Sequence, residues 1–274
     1  PLATLSGLSR AETDLAEGVY EYRVRAVDAA GWAGAWSSAS AALVVDRTPP
    51  SAPGAPSLST SLSTNGNVSL GWTTATDTGG SGLAEYRLER SADAGASWSV
   101  IASPSGASYA DSGLADGRYL YRVSARDGLN SWGAVSGTSG GLLVDTTPPT
   151  EPGTPAISAS PTTGEYTVSW SASSDAGSGL AGYSYAFNQT AGYALDTATE
   201  TALASVSLTM ADGTYWLHLR AADNAGNGSV IARYKFIVDI TSPVYATSYS
   251  HAPAKAGQLA LTVNAGEVLA LTPT

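Results

Sequence analysis

The chain has 274 residues, 43% hydrophobic and 13% charged, so it can bury cores and lacks the composition of a disordered segment. Its 23 acidic and 13 basic residues leave a net charge of −10, which repels phosphate backbones and argues against a nucleic-acid partner. The absence of Cys excludes disulfide scaffolds, thiolate zinc sites and Cys nucleophiles, and no apolar run reaches membrane-spanning length.

Thr4 to Ala16 is the best helical candidate, but it is short and carries Gly7, so no helix is predicted there. The first strand pattern runs from Glu17 to Asp28: an acidic-Gly turn, an alternating stretch, then Ala-x-Asp. A second strand closes on Val45-Asp46 and meets the punctuation Thr48-Pro49-Pro50. Val68 to Trp72 is the next strand, followed by a Gly/Ser loop from Asp77 to Gly82 and a strand through Tyr86. Ser91 to Trp98 then reads as a hairpin turn leading into Ser99-Val100-Ile101.

From there the chain repeats itself. Asp116 to Asp127 matches Glu17 to Asp28, and Asp212 to Asp223 matches both; the closing aspartates lie 99 and 96 positions apart. Val144-Asp145 and Val238-Asp239 match Val45-Asp46, and Thr147-Pro148-Pro149 and Thr241-Ser242-Pro243 match the first proline junction. Val168 to Trp170 and the loop from Asp175 match Val68 to Trp72 and the loop from Asp77, with Trp72 and Trp170 98 positions apart. In Tyr119, Tyr121, Val123 and Ala125 one strand face is apolar, while Leu120, Arg122 and Ser124 form a mostly polar opposite face. Units of about a hundred residues built from such strands predict two-sheet sandwiches.

These units resemble fibronectin type III modules and the related immunoglobulin-like modules of large bacterial surface and secreted proteins. Trp72 and Trp170, the strand Tyr119 to Ala125, and the Asp-x-Thr-Pro-Pro junctions carry the resemblance, with Asp175 to Tyr183 and Ala221 to Asn227. The expected fold is all-β: tandem immunoglobulin-like, fibronectin type III-like β-sandwiches in an elongated array. The expected division is the last part of a module at 1–46, complete modules at 47–145 and 146–239, and the start of a further β module at 240–274. In that last part Leu259, Leu261 and Val263 alternate before a turn at Asn264 to Gly266. If the ends of separate copies completed one another, the contact would not close and would build a filament. Proline at each junction ends a ladder and stiffens the entry to the next module.

Candidate chemistry is sparse. Ser91-Ala-Asp93-Ala-Gly95-Ala-Ser97-Trp98 matches the Asp-box pattern familiar from sialidases, but that pattern is itself a turn, and it stands where a hairpin is needed. His218 and His251 lie beside no nucleophile and are expected at the surface. The acidic residues stand in turns and at strand ends rather than as a cleft pair, so no glycosidase dyad is predicted. Calcium is the one cofactor the composition suits, through Asp77 and Asp175 in the Gly/Ser loops and Asp46 and Asp145 at the junctions. The Ala-x-Asp turns and Asp239 add further carboxylates. The competing reading is that these aspartates cap turns through nearby backbone N–H groups. Trp72 and Trp170 are expected in cores, whereas Trp32, Trp36 and Trp132, in loops, are expected against a sugar, a partner or the adjacent module.

The expected function is a non-catalytic structural or adhesive segment of a large extracellular bacterial protein: a stalk, fibre, filament or surface-layer component. The alternative is a set of spacer or weakly carbohydrate-binding accessory modules of a secreted polysaccharide-degrading enzyme. Expected partners are neighbouring modules, other copies of the chain or cell-surface glycans, at a secreted or cell-surface location.

Overall fold

The computed structural model describes residues 7–159, 165–239 and 241. Among them there is no helix, including over the candidate stretch from residue 7 to 16. The strands predicted at 259–263, His251 and the exchange of residues 240–274 between copies lie outside the described residues.

The first unit contributes β1 (Gly18–Tyr20) and β2 (Leu43–Val45), an antiparallel pair. The second contributes β3 (Ser57–Leu58), β4 (Leu62–Ser63), β5 (Val68–Gly71), β6 (Leu83–Ser91), β7 (Ser99–Ala102), β8 (Ser108–Asp111), β9 (Gly117–Asp127) and β10 (Leu142–Val144). These form a three-stranded sheet, β3-β5-β8, and a five-stranded sheet, β4-β10-β9-β6-β7. The third unit holds β11 (Ala156–Ala159), β12 (Glu165–Ser169), β13 (Leu180–Asn188), β14 (Ser205–Thr209), β15 (Gly213–Asp223) and β16 (Ala232–Val238), arranged as β11-β12-β14 and β13-β15-β16.

Period-2 alternation places the core. Val68 and Leu70 on β5 face Tyr86 and Leu88 on β6 and Tyr121, Val123 and Ala125 on β9, all buried. Trp72 meets Tyr86 edge-on at 5.5 Å, and Trp170 meets Tyr183 the same way at 5.2 Å. The two tyrosine hydroxyls are not idle: each accepts a backbone N–H from the chain after its Trp, Ala75 at 3.2 Å and Ser173 at 2.7 Å. Tyr119 donates to the Ala115 carbonyl four residues upstream at 2.9 Å, and Tyr20 does the same to Ala16. This local loop tie is a hallmark of immunoglobulin-like sandwiches.

The chain entering β10 follows a different period. Ser136 and Ser139, three residues apart, each offer a backbone N–H to a carbonyl of β9, Val123 and Tyr121, at 2.8 Å. Their hydroxyls accept the N–H groups of Val123 and Tyr121 in return, both at 3.0 Å. Three residues thus span what two span on β9, and the serine oxygen replaces the carbonyl that a regular ladder would supply. Ser37 and Ser40 serve Val24 and Tyr22 identically in the first unit.

His218 departs from expectation. It lies on the outward face of β15 but is fully buried, because the segment from Thr190 to Leu195 contacts that face. Its Nε2–H donates to the Thr190 carbonyl at 2.8 Å, and the Tyr193 ring lies 5.7 Å away. Strand alternation assigned the correct face; the covering segment, with no counterpart strand to β7, made that face interior.

Candidate functional site

The described residues form shallow surface hollows, such as one lined by Ser59, Asn67, Ser69 and Asp111. The concentration of polar structure lies instead where one unit passes to the next.

Each junction is tied on both sides. Glu17 Oε1 accepts the Arg47 N–H at 3.0 Å and the Thr48 hydroxyl at 2.7 Å. Asp116 accepts the Thr146 N–H and hydroxyl, both at 2.8 Å, and the Thr147 hydroxyl at 2.5 Å. Asp212 accepts the Thr241 hydroxyl. The acid of each acidic-Gly turn therefore latches the threonine that leaves its own module. These threonine hydroxyls and the Thr146 N–H hold the Asp116 carboxyl below its ordinary range. Downstream, Pro50 and Pro149 are buried. Ser51 and Thr150 donate backbone N–H groups to the Thr76 and Ser174 carbonyls at 2.8 and 3.0 Å.

Between these ties sit the predicted aspartates. Asp46 follows β2, Asp77 opens the loop before β6, and Asp127 ends β9; one carboxylate oxygen from each lies within 4.8 Å of the others. Asp145 after β10, Asp175 before β13 and Asp223 at the end of β15 repeat the arrangement. Each group draws one aspartate from the preceding unit and two from the following one. The structure thus brings the four expected residues together in pairs, Asp46 with Asp77 and Asp145 with Asp175, and adds Asp127 and Asp223 from the Ala-x-Asp turns. Asp239 joins neither group and caps Thr241 locally at 3.1 Å.

The turn-capping reading is also present in the geometry. Asp127 Oδ1 accepts the N–H groups of Leu129 and Ser131 at 2.9 and 2.8 Å. Asp77 accepts Gly79 and Gly82, Asp175 accepts Gly179, and Asp223 accepts Asn227. Asp46 and Asp145 reach across the junction, to Ser81 and to the Ser178 N–H at 2.7 Å. The Ser81 hydroxyl, 2.5 Å away, is the main influence holding the Asp46 carboxyl below its ordinary range. Asn227 donates one amide to both the Asp223 carboxylate and the Asp145 carbonyl, 82 residues away.

The tryptophans are placed differently. Trp132 is half-buried, with the guanidinium of Arg87 at 4.5 Å and that of Arg126 at 5.7 Å from its ring. Trp36 lies against Arg23 and Arg25 of its own hairpin at 4.9 and 4.6 Å. Trp32 is 78% exposed. Trp98, not singled out as a binding residue from the sequence, joins a similar stack under Arg122 at 4.3 Å, and Arg122 also pairs with Glu89 at 2.6 Å. The Asp-box is the β6–β7 hairpin turn: Asp93 accepts the Ser91 hydroxyl at 2.7 Å and the Ser97 N–H and hydroxyl at 2.9 and 2.5 Å. Its bonds close within the turn.

Two packed sheets in each of the second and third units, the Tyr20 and Tyr119 ties and the proline-marked junctions define the chain as fibronectin type III-like β-sandwich modules in tandem. No family model matches the chain. It is 40% identical over 243 residues to Exoglucanase B of Cellulomonas fimi, covering 83% of this chain and 21% of that protein. It is 32% identical over 224 residues to Chitinase A1 of Niallia circulans, covering 78% of this chain and 30% of that protein. Among solved structures, the FN1-FN3 domains of chicken CNTN1 align over 80% of this chain and 75% of theirs, at 17% identity and a TM-score of 0.40. The chain spans less than a third of the curated relatives it matches, so the matched region is a small part of each enzyme.

Proposed function

We propose that the segment is a non-catalytic accessory of a secreted bacterial polysaccharide-degrading enzyme, a tandem of modules that spaces other domains apart. One observation carries this reading. Four relatives, Exoglucanase B, Endoglucanase B, Exoglucanase A and Chitinase A1, bear names of polysaccharide hydrolases, and each matches the chain over 30% of its length or less. Shared accessory modules explain a match that spans both glucanases and a chitinase. The latched proline junctions suit a spacer that limits the hinge between modules. The same reading places the segment outside the cell.

The reading frame encoding this segment provides the test. A glycoside hydrolase domain in the same frame is expected. A frame holding only further modules and a surface anchor would establish the stalk or adhesin reading instead. In a pull-down, the segment is expected to remain in solution with microcrystalline cellulose and with chitin; retention on either would make it a carbohydrate-binding module.

A further inference from the structure

We infer that the first junction is a calcium site, assembled from two modules by Asp46, Asp77 and Asp127. The inference is independent of the proposed spacer role.

Three carboxylates converge to within 4.8 Å at each junction. Among the described residues no Lys, Arg or His forms an ion pair with any of the six. Their donors are backbone N–H groups, a serine hydroxyl and an asparagine amide, which orient carboxylates without cancelling a formal charge of three. At the first junction one oxygen has no donor at all. Asp127 is 1% exposed, its Oδ1 takes two backbone N–H groups, and its Oδ2 has no partner. A buried carboxylate oxygen left unpaired beside two further carboxylates is costly unless a cation completes it. All-oxygen donors on Gly-rich loops, with no His or Cys, fit calcium rather than zinc, and loop flexibility favours calcium over magnesium.

The second junction differs. At the second, the Asn227 amide occupies the corresponding oxygen, Asp223 Oδ2, at 2.8 Å; at the first, Ser131 stands in the place of Asn227 and leaves Asp127 Oδ2 open. Of the two junctions, the first is therefore the one that leaves a buried carboxylate oxygen open to a cation. Calcium there would bind one carboxylate from the module before and two from the module after, closing the junction.

Titration calorimetry of the whole chain, stripped with EGTA and titrated with calcium chloride, tests this. One ion per chain is expected, with a dissociation constant of about 0.1–1 mM as in other extracellular modules. Asp77→Asn, in a half-buried loop, should lose the ion, and Asp175→Asn, at the second junction, should keep it. Circular dichroism in EGTA confirms that these variants keep the fold. Absence of binding at millimolar calcium, equal binding of magnesium, unchanged stoichiometry in folded Asp77→Asn, or loss of the ion in folded Asp175→Asn would overturn the assignment.

Discussion

Asp46 and Ser81, from successive modules, are joined twice: Asp46 Oδ2 accepts the Ser81 N–H at 3.0 Å and its hydroxyl at 2.5 Å. The hydroxyl is the main influence lowering the Asp46 pKa. Ser81→Ala keeps the N–H bond and removes the other. The Asp46 pKa should then rise toward the ordinary value of about 3.8–3.9. Carboxyl-carbon NMR titration in EGTA measures it; an unchanged pKa would mean that the junction bond does not persist in solution.

The junctions also require small residues. A Cβ on Gly177 would stand 2.5 Å from the Asp145 carboxyl carbon, and one on Gly79 would overlap the Asp46 carboxylate. Gly177→Ala must therefore push the loop away from the preceding module. A loss of about 1–3 kcal/mol is expected, as for overpacking elsewhere. Denaturant melts measure it, and faster amide exchange at Ser178 should accompany it.

Acid should act on the Asp-box turn. Hydrogen bonds from the Ser97 and Ser91 hydroxyls lower the Asp93 pKa to about 2. The folded pKa lies below the unfolded value, so this contribution is complete above about pH 3.9 and is lost as pH falls toward 2. Asp93→Asn should remove that part of the pH dependence. Thermal melts from pH 5 to pH 2 should fall less steeply for the variant than for the parent chain; parallel curves would refute the assignment.

Tyr121 tests the polar contact inside the second unit. Its hydroxyl donates to the buried Asp111 carboxylate at 2.9 Å, and Arg90 meets the same oxygen at 2.9 Å. Burial foremost, then the Asp111 bond, hold the phenol well above its ordinary range. Tyr121→Phe retains the ring and removes the donor. A loss of about 1–2 kcal/mol is expected, or a melting temperature lower by several degrees in a module of this size.

Local chemistry made much of this architecture legible. Alternation at Tyr119, Tyr121, Val123 and Ala125 predicted a buried strand face, and all four are buried. Trp72 and Trp170 were expected in cores and lie there. Asp93 and Gly95 read as turn residues and form one. His218 was read as a surface residue because alternation names the face on which a side chain stands, not what crosses above it. The serines at 136 and 139 carried a period of three, a signal that a search for strands at period two passes over.

The sequence by itself determined the repeat, the strand faces and the aspartates at the junctions, because these follow from side-chain period, turn preference and the missing N–H of proline. Only the tertiary structure decided which aspartates meet. Asp46 and Asp127 are 81 residues apart and come from different modules, so no local preference governs their approach. It is set by how the proline linker seats one sandwich on the next. Repeat spacing shows that the aspartates recur, while module packing brings three of them to one point.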